Sequence, residues 1–299
     1  MSQLTNVACC QVSLEVGKLA ANREACLSAA ARAIENGAHI IVLPELAASG
    51  YVFGSQEEAR ALAEPVSGPT ISGWTDLASR TGTTIVGGIC ELGEDGNLYN
   101  TAVVIGSQAG SQAGSQAASQ AGSQVRAVYR KAHLWDTEKA VFTPGSQAPP
   151  LIDVGETRLA VMICYDLEFP EWVRHPALAG AHLLCVPTNW PRFARPDGER
   201  PMEVVRAQAA AAVNRMFIAA SDRVGSERGV DWVGGSVIID PDGWPLAGPA
   251  GEEATIVMAA CDLGTAADKK ISAHNDVLED RRPALYRQVI EVHSPERHW

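Results

Sequence analysis

Three polar residues of reactive type close apolar runs in this 299-residue chain: Glu45 follows IIVLP, Lys131 follows VRAVYR and Cys164 follows RLAVMI. Strand ends favour chemistry, because a rigid sheet fixes the side chain while loops open a pocket above it. The three types complement one another. A thiol attacks well only as thiolate, so it needs a base or a cation nearby. A carboxylate can take that proton and return it to a leaving amine. An ammonium can hold the oxyanion that develops on an attacked carbonyl. A charged residue closing an apolar run is equally at home on an ordinary sheet edge, and spacing alone does not bring the three together.

The elements that must position them alternate along the chain. Val7 to Val12 reads as a strand, Lys18 to Asn36 as a helix stopped by Gly37, and HIIVLPE as a buried strand ending at Glu45. A helix over Thr70 to Arg80 precedes the strands TTIVGGIC and TAVVIG. Further strands are expected in RLAVMIC (158–164), AHLLCVPT (181–188) and RMFIAAS (215–221), with helices over Glu171 to Ala179 and Met202 to Asn214 between them. GGSVIIDPDGWPLA has a Pro-Asp-Gly turn between apolar arms, EATIVMAACDL reads as a strand, and LEDRRPALYRQVIEV as an amphipathic helix suited to a partner contact. The glycine pairs Gly87–Gly88 and Gly234–Gly235 lack a phosphate-loop pattern and suggest close backbone approach. Residues 107–124, SQAGSQAGSQAASQAGSQ, offer nothing large enough to pack, so a flexible expanded hairpin tip is expected between TAVVIG and VRAVYRK. No hydrophilic linker divides the rest, and a single α/β domain over 1–299 is the expectation.

Composition narrows the partners. A formal charge of −11 and a pI near 5.1 argue against nucleic acid or an anionic membrane. The seven cysteines form no CxxC pair and are odd in number, which disfavours a disulfide framework. The start shows no basic-then-apolar leader and no apolar run reaches membrane-span length, so a soluble cytoplasmic protein is expected. His39, His175 and His182 lack metal-ligand spacing, and His133 lacks the context of a Cys–His pair; its expected role is structural.

The segments LPELAASGY (43–51), YRKAHLWDTEKAVFTPG (129–145) and ICYDLEFPEWVR (163–174) resemble, in order, the signatures of the nitrilase or carbon–nitrogen hydrolase superfamily, and the similarity runs on to RRPALY near the C-terminus. The resemblance implies an αββα four-layer sandwich that pairs sheet-to-sheet into a homodimer or higher homo-oligomer. It makes Cys164 the nucleophile, Glu45 the general base, and Lys131 the oxyanion-stabilising cation, helped by the backbone N–H of Tyr165. Glu138 matches the family's second glutamate, which orients the lysine and the attacking groups. Tyr51, Tyr165, Phe169, Asn189 and Trp190 match positions that line substrate pockets in relatives. No metal or organic cofactor is implied.

True nitrilases usually carry a tryptophan–glutamate pair after the cysteine, whereas this chain has Tyr165–Asp166, as amidase branches do. The expected reaction is hydrolysis of a small aliphatic or related carboxamide through a thioester. Alternatives are N-carbamoyl hydrolysis, for which Arg174, Arg192 and Arg195 are candidate carboxylate grips, nitrile hydrolysis, and acyl transfer to another nucleophile. A non-catalytic scaffold of the same fold is the reading from a different class, and an unreactive cysteine would mark it.

Overall fold

The computed structural model describes residues 4–106 and 124–292. In chain order its elements are β1 (Thr5–Ser13), α1 (Leu19–Glu35), β2 (Ile40–Val42), α2 (Gln56–Leu62), α3 (Pro69–Thr81), β3 (Thr84–Leu92), β4 (Leu98–Gly106), β5 (Gln124–Arg130), α4 (Glu138–Val141), β6 (Leu151–Val154) and β7 (Thr157–Val161). After a 3-10 turn over Cys164–Glu168 come α5 (Pro170–Leu178), β8 (Leu183–Pro187), α6 (Met202–Asn214), β9 (Phe217–Ser221), β10 (Arg223–Val224), β11 (Ser226–Glu227), β12 (Val230–Asp231), β13 (Val237–Ile239), β14 (Pro245–Ala247), β15 (Thr255–Cys261) and α7 (Pro283–Val292).

Two sheets form the centre. One runs β10-β1-β2-β3-β4-β5, with β15 also on β1, and the other runs β14-β13-β9-β8-β7-β6. Side-chain alternation explains why the sheets stack. On β1 and β2, Val7, Cys9, Ile40 and Val42 turn toward Leu159, Val161, Cys185 and Ala219 of the opposite sheet. Ala8, Cys10 and Ile41 turn the other way, onto Ala30 and Ala33 of α1 and Ile71, Trp74 and Ala78 of α3. The second sheet is covered on its far side by Val173 and Ala177 of α5 and Val204, Ala207 and Ala211 of α6. Strands covered on both faces read as continuous apolar runs, and β8 is buried along its whole length. The architecture is a four-layer αββα sandwich.

The expected elements are present, with instructive differences at three ends. HIIVLPE forms a ladder only over Ile40–Val42, because the chain leaves the sheet through Pro44 before reaching Glu45. RLAVMIC leaves its sheet after Val161, three residues short of Cys164. The two hairpin arms pair as expected, but Gln124 opens β5 and is the register partner of Gly106, so it belongs to the strand and not to the loop. The remainder of the SQAG repeat, 107–123, lies outside the described residues. No helix among the described residues is long and apolar enough to cross a membrane.

Candidate active site

Glu45 sits where β2 becomes a loop, and that loop runs directly over β3. Gly88 N–H donates to Pro44 O at 3.0 Å and Ala47 N–H to Gly88 O at 2.8 Å. A Cβ on Gly88 would come within 2.7 Å of Glu45 Cα, so the glycine is what lets the loop lie this close. Lys131 is the first residue past β5. Its N–H donates to Asn100 O at 2.8 Å, and its carbonyl accepts from Gly145 N–H at 2.8 Å. Glu138 opens the short α4 and accepts from Trp135 N–H at 3.1 Å.

Cys164 begins the 3-10 turn with φ of 45°, a left-handed conformation that a side chain with a Cβ adopts at a cost of order 1–3 kcal/mol. Asp166 holds that turn in place. One carboxylate oxygen accepts from Tyr129 OH at 2.7 Å and Ile163 N–H at 3.2 Å. The other accepts from His133 N–H at 3.0 Å and lies 2.7 Å from His133 Nδ1. His133 stacks on Phe169 with ring centroids 3.8 Å apart. The histidine therefore braces the turn through Asp166, as its expected structural role requires.

The four polar residues converge. Lys131 Nζ donates to Glu45 Oε1 at 2.8 Å and to Glu138 Oε1 at 2.7 Å, and all three side chains are buried. Asn100 Nδ2 donates to Glu45 Oε1 at 2.7 Å. Tyr51 OH donates to Glu138 Oε1 at 2.5 Å. Glu45 Oε2 is buried without a hydrogen-bond partner among the described residues. Asn189 ties Cys164 to Glu45: its carbonyl lies 3.9 Å from Cys164 Sγ, and its Nδ2 donates to the backbone O of Glu45 at 2.9 Å.

Electrostatics follow from burial and pairing. Loss of water raises the Glu45 carboxyl to about 7, against the lowering pull of Lys131. Burial also pushes the Cys164 thiol well above its usual value; the Glu45 charge adds to this and Lys131 opposes it. For Lys131, burial works against the ammonium, but Glu138 and Glu45 outweigh it and the group stays charged. The resting arrangement is a protonated thiol, an ammonium, and a carboxylate able to exchange a proton near neutrality.

Above the thiol opens a cavity of about 250 Å³ walled by Trp135, Tyr165, Trp190 and Phe193. Tyr165, Asn189 and Trp190 line it. Tyr51 and Phe169 stand behind it: Tyr51 against Glu138 and the Trp232 ring, Phe169 between His133 and Tyr165. Of the three candidate carboxylate grips, Arg195 lines the cavity, Arg192 pairs with Glu252 at 2.7 Å, and Arg174 faces Val277 O at 3.4 Å. Glu168 and Arg206, 3.0 Å apart, form an ion pair at the cavity wall.

Sequence reasoning did not single out Asn100, although a polar side chain in the buried strand LYNTAVVIG is a usable signal. It also passed over Asp222, Arg223 and Glu227, all buried and clustered just past β9.

This fold gathers a thiol, two carboxylates and an ammonium into one buried centre. The chain belongs to the carbon–nitrogen hydrolase family, whose model matches residues 6–270. It is 35% identical over 256 residues to a nitrilase of Pyrococcus abyssi, covering 85% of this chain and 88% of that one. To the 2-oxoglutaramate amidase of Bacillus subtilis it is 30% identical over 251 residues, covering 83% and 87%. An amidase of the nitrilase superfamily from Nesterenkonia superposes with a TM-score of 0.75 at 29% identity, covering 97% of this chain and 98% of that one. The chain is accordingly an enzyme that hydrolyses carbon–nitrogen bonds other than peptide bonds.

Proposed function

We propose that the protein is an amidase that converts a small carboxamide to carboxylate and ammonia through a thioester on Cys164. One observation carries the reading. Glu45 has one carboxylate oxygen held by Lys131 and Asn100 and the other buried without a partner among the described residues, and the Glu45 charge raises the Cys164 thiol. Such an oxygen is a base awaiting a proton.

Cys164 Sγ attacks the amide carbon while its proton passes to Glu45 Oε2. The tetrahedral oxyanion is held by Lys131 Nζ and the Tyr165 N–H, which lies in the first turn of the 3-10 segment and has no partner within it. Collapse breaks the C–N bond, and Glu45 returns the proton to the departing ammonia. Glu45 then takes a proton from water as it attacks the thioester, and gives that proton to the leaving thiolate. Glu138 holds Lys131 in place throughout. Among relatives, the Nesterenkonia amidase is known in complex with butyramide, and with the acetamide moiety of fluoroacetamide added covalently at its active-site cysteine. Both support a small acyl group here.

Tyr165–Asp166 after the nucleophile favours amides over nitriles. A nitrile yields a thioimidate nitrogen that must be protonated, so its donor needs a different position. Ammonia release from propionamide and propionitrile should differ at least about a hundredfold in kcat/KM, equivalent to about 2.7 kcal/mol. A nitrile hydrolysed as fast as its amide moves the chain to nitrile hydrolysis. Turnover of N-carbamoyl compounds alone, with Arg195 at the cavity, moves it to carbamoyl hydrolysis. We further infer one domain acting as a homodimer; exposed Leu178, Met202, Val205 and Val213 on α5 and α6 support a partner surface, and sedimentation analysis tests it.

A further inference from the structure

Just past β9, Asp222, Arg223 and Glu227 carry buried charges outside the lining of the cavity. Arg223 is fully buried, and its Nη2 donates to Leu14 O and, at 3.1 Å, to Glu227 Oε1. The second oxygen of Glu227 accepts from the backbone N–H groups of Tyr51 at 2.9 Å and Val52 at 2.7 Å. The guanidinium also lies over the Trp232 ring, 4.7 Å from its centroid, and that ring meets Tyr51 edge-on at 5.4 Å. Gly50, at φ of 79°, fits against this pair; a Cβ there would lie 2.7 Å from Glu227 Oε1. Both the backbone and the ring of Tyr51 are thus fixed from the same ion pair. Tyr51 in turn places its hydroxyl 2.5 Å from Glu138, which holds Lys131 at 2.7 Å.

We propose that Glu227, backed by Arg223, is a positioning residue for the hydrolysis, acting through Tyr51 to fix Glu138 against Lys131. The proposal rests on the amidase reading for its kinetic test. Burying an ion pair is weak as a source of stability, because desolvation of both charges offsets most of their attraction. Here the pair's hydrogen bonds run to two backbone amides of the loop that follows Glu45, so its consequence is geometric. Displacement of about 1 Å in such a constellation is enough to slow chemistry about a hundredfold. Asp222 does the same for the other side of the site: it accepts from Trp190 N–H at 3.0 Å and Gly235 N–H at 2.9 Å.

The test is a double-mutant cycle between Glu227→Gln and Tyr51→Phe, read as kcat and KM for propionamide. In Glu227→Gln the new amide NH2 must face either Arg223 or the two backbone N–H groups, all donors. The expected result is a loss of about thirtyfold in kcat with KM within about threefold. In the Tyr51→Phe background the same change should cost less than about threefold more, because the route through the hydroxyl is already cut. Losses that multiply in the double variant overturn the proposal, since a merely structural residue would act independently of Tyr51. The cycle is also read without amide turnover, as the rate of Cys164 alkylation by iodoacetamide at fixed pH, with the modified residue identified by mass spectrometry. A wild type that alkylates but releases no ammonia sinks the amidase reading, and the alkylation cycle then decides the positioning role alone. If Glu227→Gln does not fold, Glu227→Asp keeps the charge on Arg223, withdraws the acceptor from the amides, and enters the same cycle.

Discussion

Two buried ionic clusters of this molecule differ in one respect that separates chemistry from scaffolding. In the first, Lys131 bridges Glu45 and Glu138, and Glu45 keeps an oxygen without a partner among the described residues. In the second, Arg223 pairs with Glu227 beside Asp222, and every carboxylate oxygen there accepts a hydrogen bond. Glu227 accepts from Arg223, Tyr51 and Val52, and Asp222 from Trp190, Arg223 and Gly235. A saturated carboxylate is fixed and fixes its partners; an unsaturated one is available to a proton. Substitutions in the first cluster should therefore act on rate directly, and those in the second on stability and, through the geometry of the site, on rate.

The largest effect is expected in the first cluster. Cys164→Ala should abolish ammonia release while the melting temperature stays within a few degrees, as only one sulfur is lost. Glu45→Gln and Lys131→Ala should each lower kcat by about 10³-fold or more. Activity surviving in Cys164→Ala breaks the mechanism, and normal activity in Glu45→Gln breaks the base assignment. Next comes Arg223→Met, which strands Glu227 as a buried unpaired charge and should destabilise the fold by about 3–5 kcal/mol in urea titration. An unchanged midpoint would erase the contrast between the clusters.

A smaller effect concerns pH. With Glu45 raised to about 7, the working form is the carboxylate, so activity should rise with pH through about 7 and fall about tenfold per unit below it. A profile already flat from pH 5 upward would mean that Glu45 titrates as an ordinary carboxylate. Asp222, raised to about 6 by burial, has the opposite consequence for stability. The folded state binds its proton more tightly than the unfolded state does, so this contribution is full at low pH and declines as pH rises through about 4 to 6. Asp222→Asn should flatten that part of the stability curve.

The smallest effect is expected at the hairpin between β4 and β5. Gly106 and Gln124 are register partners across β4 and β5, so a two-residue Asn-Gly turn can close the hairpin in place of 107–123. Melting temperature and amidase rate should stay nearly unchanged, because loop entropy varies slowly with length. A large loss in either would show that the segment contributes to the site or to a subunit contact.

Much of this was legible in the residues. Continuous apolar runs and a helical stretch ended by glycine marked the layers, because a strand buried on both faces makes a local demand on sequence. The ordered segments around Glu45, Lys131 and Cys164 singled out residues that the structure gathers in one buried centre, and it was their resemblance to family signatures that joined them. What the sequence could not supply was the distance between them: 86 residues separate Glu45 from Lys131, and only the stacking of the sheets and the loops above them brings Nζ to 2.8 Å from the carboxylate. Asn100, Glu227 and Arg223 escaped for the same reason. Each is an ordinary polar residue until a partner far away in sequence meets it, and the energy of a buried charge depends on those partners and on excluded water, which tertiary structure alone decides.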